Sequence, residues 1–185
     1  EGPYSVVREL VDNSLDAGAT AINVSIEEGG LRSIRVADDG VGMDRKDAEL
    51  CLERYATSKI YSPDDLRAIA TRGFRGEALA AILAVSDVKI DTWREGDDVS
   101  TIVHGARGKI LSVGMGARGV TGTTVTVSQL FYNIPARRKD CASPFTEARR
   151  VLQVVSAYAL AHPHVTFKLV SDGRELLYAS RTKSV

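Results

Sequence analysis

Ala21-Ile22-Asn23-Val24-Ser25-Ile26-Glu27 alternates apolar and polar residues, Glu28-Gly29-Gly30 follows, and Ser33-Ile34-Arg35-Val36-Ala37 alternates again. A period of two sends successive side chains to opposite faces of a strand, so this stretch reads as strand, turn and returning strand. Such a pair lies antiparallel, with no crossover helix between its members. Working outward, residues 4–16 carry Val7, Leu10, Val11 and Leu15 near one stripe at helical spacing, and Gly18 ends that helix. Asp44 can cap a helix running to about Tyr55, with Asp47 three residues on, and Ser62-Pro63-Asp64-Asp65 opens another. Residues 77–84 are nearly all apolar, which predicts a short helix buried on most sides. Strands are expected at 88–93, 99–104, 109–113 and 123–129, the first three joined by Glu95-Gly96-Asp97-Asp98 and Gly105-Ala106-Arg107-Gly108. Residues 144–161 read as a long helix with an apolar face of Val151, Leu152, Val154, Val155, Tyr158 and Leu160, stopped at His162-Pro163. A last hairpin, 165–170 and 174–178, turns at Ser171-Asp172-Gly173. Helices and adjacent hairpins in separate blocks predict an α+β fold: a mixed, largely antiparallel sheet covered by helices on one face.

The 185 residues suit one domain, 1–185, with a real hydrophobic core. Lysine plus arginine equals aspartate plus glutamate, 24 each, so any nucleic-acid contact must use a local patch. Arg137-Arg138-Lys139, with Arg149 and Arg150, is the one basic cluster, and a solvated positive face is its commoner explanation. Cys51 and Cys141 belong to no Cys-x-x-Cys pair, so neither a zinc site nor a disulfide framework is implied, and a reducing compartment is the simpler expectation. The longest apolar run, 78–85, is far too short to span a bilayer, and no membrane partner is expected. No signal peptide opens the chain. It begins at Glu1-Gly2-Pro3 without a methionine and is expected to be a fragment.

Five motifs carry chemistry. Glu9 and Asn13 are four apart and share a helix face. A glutamate there can take a proton from an attacking water, and a neutral Asn oxygen suits magnesium, which prefers oxygen ligands. On this pair alone a solvated helix is the commoner reading. Asp12 and Asp16 read as surface or supporting residues. Asp38 follows an apolar strand and precedes Gly40 and Gly42. An ionised carboxylate only accepts hydrogen bonds and the exocyclic amine of adenine only donates them, while glycines let backbone approach a flat ring. An acidic turn is the bland alternative. Gly73-Phe74-Arg75-Gly76 opens the helix that begins near Glu77, and unpaired amides at a helix start favour anions. It is not a Walker A loop, since no Gly-Lys-Ser/Thr follows. Thr57, Ser58 and Lys59 lie between helices and suit a phosphate lid, though a solvated loop lysine explains them equally well. Thr123, after Gly122, could bridge to Asp38 or the base. His104, His162 and His164 show no metal spacing.

In this order and spacing the motifs resemble the ATPase domain of the MutL family of DNA mismatch repair proteins, within the wider group of gyrase B, the ninety-kilodalton heat-shock chaperone and histidine kinases. Residues 9–18 (ELVDNSLDAG), 56–59 (ATSK), 73–79 (GFRGEAL) and 130–139 (LFYNIPARRK) carry the likeness, which covers 6–139 well and the rest more loosely. The family usually has Asn where this chain has Asp39, and an apolar residue where it has Asp140. The resemblance implies a two-layer α/β sandwich binding ATP and Mg2+ under a flexible lid. Glu9 would activate water and Asn13 hold magnesium. Asp38 would read adenine with Thr123 assisting, and Gly40 and Gly42 would line the base. Lys59 and the backbone of Arg75, Gly76, Glu77, Ala78 and Leu79 would contact phosphates. It implies slow turnover, ATP-driven dimerisation of the full-length protein, contact with DNA mainly outside this segment, and a MutS-type mismatch-recognition partner, in the bacterial cytoplasm or a eukaryotic nucleus. It also implies that an N-terminal arm, a second ATPase subdomain supplying a γ-phosphate lysine and a C-terminal dimerisation domain lie outside this segment, so the segment alone would bind nucleotide weakly and hydrolyse it poorly. Two other readings stay open: a signalling kinase of the same fold, which lacks its phosphate-accepting histidine here, and a nucleotide-gated scaffold without useful hydrolysis.

Overall fold

A computed structural model describes residues 2–53, 77–117 and 119–182. In chain order the elements are α1 (Pro3–Asp16), β1 (Ala21–Glu27), β2 (Ser33–Asp38), α2 (Arg45–Leu50), α3 (Ala78–Ala84), β3 (Asp87–Trp93), β4 (Thr101–Ala106), β5 (Lys109–Met115), β6 (Gly122–Ser128), α4 (Pro135–Asp140), α5 (Pro144–Ala161), β7 (Thr166–Ser171) and β8 (Arg174–Ala179). The strands form one sheet in the order β5-β4-β3-β6-β2-β1-β7-β8. Every pairing is antiparallel except β1 with β7. The mixed, largely antiparallel sheet with helices on one face is thus the observed architecture.

Alternation decides which face is covered. Ile22, Val24 and Ile26 of β1, Ile34 and Val36 of β2, Val88 and Ile90 of β3 and Phe167 and Leu169 of β7 are all buried, while Asn23, Arg35 and Lys89, one residue out of phase, are exposed. Each such side chain contributes about 1.5–3 kcal/mol through burial. Against this face α1 sets Val7, Leu10 and Val11, and α5 sets Val151 and Val155. Pro3 stands in the first turn of α1, where a missing N–H costs nothing, and Gly18 at φ +72° leaves the helix in a conformation only glycine adopts freely. Ser143 caps α5, accepting from Thr146 N at 3.3 Å. The two helices lie side by side, and Tyr158 Oη donates to Asp12 Oδ1 at 2.8 Å. Burial, then that bond, push the Tyr158 hydroxyl well above the ordinary tyrosine range.

Four sequence expectations shift. Asp44 does cap α2 through Asp47 N at 2.8 Å, but the helix ends at Leu50, short of Tyr55. Tyr55 and the helix start at Ser62-Pro63 lie outside the described residues. Helix α3 is half-covered: Ile82 and Leu83 are buried, yet Ala81 and Ala84 are exposed, because alanines raise apolar composition without requiring burial. Leu160 is 85% exposed. At about 100° per residue it stands opposite Val151, so it never belonged to that apolar face. Helix α4, unexpected as an element, takes up the basic cluster. There Arg138 donates to Leu130 O at 2.8 Å and Arg137 lies 4.7 Å from the Phe131 ring centroid. Among the described residues no helix is long and apolar enough to cross a membrane.

Candidate nucleotide site

Strand register lays one row of side chains across the middle of the sheet. Ile22 of β1 pairs with Asp38 of β2, Asp38 with Thr123 of β6, and Thr123 with Thr92 of β3. Asp38 keeps the phase of Ile34 and Val36, so the alternation that buries those residues also turns its carboxylate inward, toward the helices. There it meets α1. Ser14 Oγ donates to Asp38 Oδ2 at 2.7 Å, while Oδ1 accepts from Gly40 N at 2.9 Å and Thr123 N at 3.2 Å. A carboxylate offers about four acceptor positions. Three are filled, and one is left for a donor from outside. Burial lifts the Asp38 pKa above the usual range; the bonds from Ser14, Gly40 and Thr123 oppose that rise, and the neighbouring Asp39 charge adds to it.

Thr92 is 1% exposed. Its Oγ1 accepts from Met43 N at 2.9 Å, lies 2.9 Å from Thr123 Oγ1, and is 3.3 Å from Gly122 O. Asp39 points the other way. Its carboxylate accepts from Thr20 N at 2.7 Å, Thr20 Oγ1 at 2.6 Å and Ala21 N at 2.9 Å, clamping the α1–β1 connection to the end of β2. Burial alone would raise the Asp39 pKa, but these bonds together outweigh it and hold the carboxyl below its ordinary value. The residue that departs from the family pattern therefore has a definite local role.

The glycines act on the backbone. A Cβ on Gly40 would stand 2.7 Å from Ala17 Cβ, and one on Gly42, at φ +71°, would stand 2.2 Å from Trp93 O. Both directions are filled by protein. Val41 N donates to Ala17 O at 3.0 Å, which pins the same loop to the end of α1.

Glu9 and Asn13 lie on α1, both half-buried. On the helical wheel Asn13 falls about 40° from Glu9, and Glu9 falls about 60° from Asp12, the residue that bonds α5. Asn13 directly precedes Ser14, the residue that bonds Asp38. Glu77 stands at the N-cap position of α3 without a side-chain capping bond, and Ala78 and Leu79 lie in its first turn. The opposite end of α3 is fixed by Gly108 N donating to Leu83 O at 3.1 Å and Asn133 Nδ2 donating to Ala84 O at 2.9 Å. Thr57, Ser58, Lys59, Gly73, Phe74, Arg75 and Gly76 lie outside the described residues. A hollow of about 600 Å³ bordered by Leu52, Glu77, Ala81 and Ile110 is separate from the Asp38 row.

Sequence reasoning passed over Ser14, Thr92 and Thr20. The first two carried a signal: each is a lone hydroxyl in an apolar phase, Ser14 after Val7, Leu10 and Val11 and Thr92 after Val88 and Ile90. Thr20 carried none, because its bond depends on how the chain returns from α1.

The family model described as histidine kinase-, DNA gyrase B- and HSP90-like ATPase matches residues 2–114. The chain is 53% identical over 179 residues to the DNA mismatch repair protein MutL of Anaeromyxobacter dehalogenans (strain 2CP-C), covering 97% of this chain and 29% of that protein. It is 47% identical over 174 residues to MutL of Chlorobium chlorochromatii (strain CaD3), covering 94% and 27%. The chain thus spans less than a third of the length of the curated relatives it matches. The solved Aquifex aeolicus MutL ATPase domain complexed with ADP superposes with a TM-score of 0.77 at 34% identity, over 99% of this chain and 65% of that one. The chain belongs to the histidine kinase-, DNA gyrase B- and HSP90-like ATPase family, and within it to the MutL-type N-terminal ATPase domains.

Proposed function

We propose that this chain binds Mg-ATP between α1 and the β6–β3 side of the sheet, hydrolyses it slowly, and serves as the nucleotide switch of a DNA mismatch repair protein. The observation that carries the reading is the 2.7 Å bond from Ser14 to Asp38, which joins the helix bearing Glu9 and Asn13 to the strand bearing the purine-reading carboxylate. One acceptor position left on Asp38 matches one N–H of the adenine 6-amino group. The hydroxyl of Thr123 stands beside it. Glu9 accepts the proton of a water as its oxygen attacks the γ-phosphorus; the β–γ bridging oxygen leaves with the electron pair of the broken bond. Magnesium fits the donor set. Among the described residues no three His, Cys, Asp or Glu side chains gather into a metal cage, and Mg2+ commonly takes one or two protein oxygens together with phosphates and water. Asn13 would supply that protein oxygen, and the ion would neutralise phosphate charge. Phosphate contacts fall to Lys59 and to the segment from Gly73 to Leu79.

In the full-length protein, ATP binding drives N-terminal dimerisation and couples a MutS-type partner and DNA to repair, in a reducing cytoplasm or nucleus. Titration of the chain with a non-hydrolysable ATP analogue and magnesium, followed by NMR, tests the site. Shifts at Asn13, Ser14, Gly40 and Thr123 are expected, and shifts confined to other surfaces would overturn the reading. In the full-length protein Glu9→Ala is expected to lower hydrolysis by about 100-fold or more while binding persists; unchanged turnover removes Glu9 as the base.

A further inference from the structure

Arg94 follows the last residue of β3, and its side chain reaches the loop that runs on from Asp38. Three consecutive residues grip that loop. Thr92 Oγ1 accepts from Met43 N at 2.9 Å, the Trp93 carbonyl fills the space a Cβ on Gly42 would need, and Arg94 Nη1 donates to Asp44 Oδ2 at 3.1 Å. The other terminal nitrogen of Arg94, Nη2, lies 3.6 Å from Asp97 Oδ1. Asp97 is itself tied back, its N donating to Arg94 O at 3.1 Å and its O accepting from the Trp93 indole N–H at 3.0 Å. One guanidinium thus joins the 94–97 turn to Asp44. Asp44 also caps α2, its Oδ1 accepting from Asp47 N at 2.8 Å, so both of its carboxylate oxygens are engaged.

The loop has two ends. Its start is fixed by Gly40 N donating to Asp38 Oδ1 at 2.9 Å and Val41 N donating to Ala17 O at 3.0 Å. Its far end, at Asp44, is fixed by Arg94 and by the α2 cap. We propose that Arg94 is a positioning residue for nucleotide capture. By holding Asp44 it keeps the Gly40–Asp44 loop in one path, so the wall beside Asp38 is formed before a ligand arrives. A wall already formed spares the ligand the entropy of ordering it. The inference rests on the proposed purine end at Asp38 and adds to it a residue on the outer side of the loop. Side chains 47% and 35% exposed make a solvent-screened ion pair, so the effect on affinity is about two- to fivefold rather than orders of magnitude.

The test is a double-mutant cycle on the 185-residue chain, with dissociation constants for adenosine measured by NMR titration. Adenosine carries no charge, so its affinity reports the wall and not the long-range field of the substituted residues. Arg94→Met keeps the aliphatic stem and removes the cation. Asp44→Asn keeps an oxygen for the α2 cap, but its NH2 group then faces the guanidinium, a donor opposite a donor. Each single variant is expected to bind adenosine about two- to fivefold more weakly than wild type. The double variant should lose no more than the weaker single, because one contact is removed in all three. Arg94→Lys, which keeps a cation within reach of Asp44, should recover most of the loss. Adenosine affinity unchanged in both single variants overturns the inference and leaves the Asp38 assignment standing, even where urea denaturation shows lower stability. Losses that multiply in the double variant overturn it too. Should Asp44→Asn fail to fold, Arg94→Met against Arg94→Lys decides, and equal affinities overturn the proposal. If adenosine shifts neither Gly40 nor Thr123 in wild type, the purine end itself is overturned.

Discussion

Replacing Asp38 by asparagine exchanges one acceptor oxygen for an NH2 group at nearly constant shape, and the structure says what each atom then meets. The amide oxygen keeps the Oδ1 position, where Gly40 N and Thr123 N both donate. The NH2 group takes the Oδ2 position and faces Ser14 Oγ. Ser14 can accept there, because its own proton has a second acceptor in Leu10 O at 3.1 Å. No donor is orphaned, and a half-buried charge is removed, so stability should change by no more than about 1 kcal/mol. Nucleotide binding should fare differently. The acceptor position left for the 6-amino group becomes a donor opposite a donor. Losing a hydrogen bond to a charged group costs about 1.5–3 kcal/mol, roughly 10- to 150-fold in affinity. Urea denaturation and NMR titration with a non-hydrolysable ATP analogue measure the two quantities on one sample. Near-native stability with affinity within twofold of wild type would refute the purine assignment. A loss of more than about 3 kcal/mol would refute the valence count. The pH dependence carries the same sign logic. Because burial raises the Asp38 pKa, the native state binds its proton at higher pH than the unfolded chain does, so this residue lowers stability as pH rises through the interval between the two values. Protonation also removes the acceptor, so affinity for ATP should begin to fall, on acidification, above the usual aspartate range. The nucleotide lacking the 6-amino group should show no such loss.

Three further outcomes follow from the local geometry. Gly122→Ala places a Cβ 2.0 Å from Asp38 O at φ +143°, so the urea midpoint should drop by the equivalent of about 3 kcal/mol or more; a neutral result contradicts the β2–β6 approach. Asp39→Ala frees Thr20 and Ala21 from their clamp and should cost about 1–2 kcal/mol near neutrality, the partial exposure of Asp39 limiting the figure. Since the Asp39 pKa is lowered in the native state, its contribution is complete above the unfolded value and is lost as pH falls through the native one, so the two proteins' stabilities should converge in acid. The Cys51 thiol, pushed up to about 12 by burial, should resist iodoacetamide at pH 8 in the native chain and react readily in urea, as mass spectrometry of timed aliquots would reveal; equal rates refute its burial.

Period carried the fold into the sequence. Residues 21–37 needed only alternation and two glycines to declare a hairpin, and residues 144–161 only their helical stripe and terminal proline. Elements that depend on contacts distant in sequence were less legible. Helix α4 is six residues long, too short for a stripe, and Arg138 ties it to Leu130 O across a turn that no local pattern announces. Leu160 shows the opposite failure. Apolar identity was counted there without its angle, and the angle sent it to solvent.

The site divides along the same line. Asp38 was legible twice, as a carboxylate before two glycines and as a polar residue in the buried phase of β2. Its valences were not legible. Whether a buried carboxylate keeps an acceptor free depends on how many donors the folded chain aims at it, and those donors come from residues 14, 40 and 123. Nor was it legible that the space a Cβ would take at Gly40 and Gly42 belongs to Ala17 and Trp93. The glycines' conformational freedom fixes the path of the loop, and the loop fixes Met43 on Thr92. Recognition in such a site is therefore a property of a hydrogen-bond circuit rather than of one residue. Changing Ser14, which need not touch a ligand, should alter what Asp38 is able to offer it.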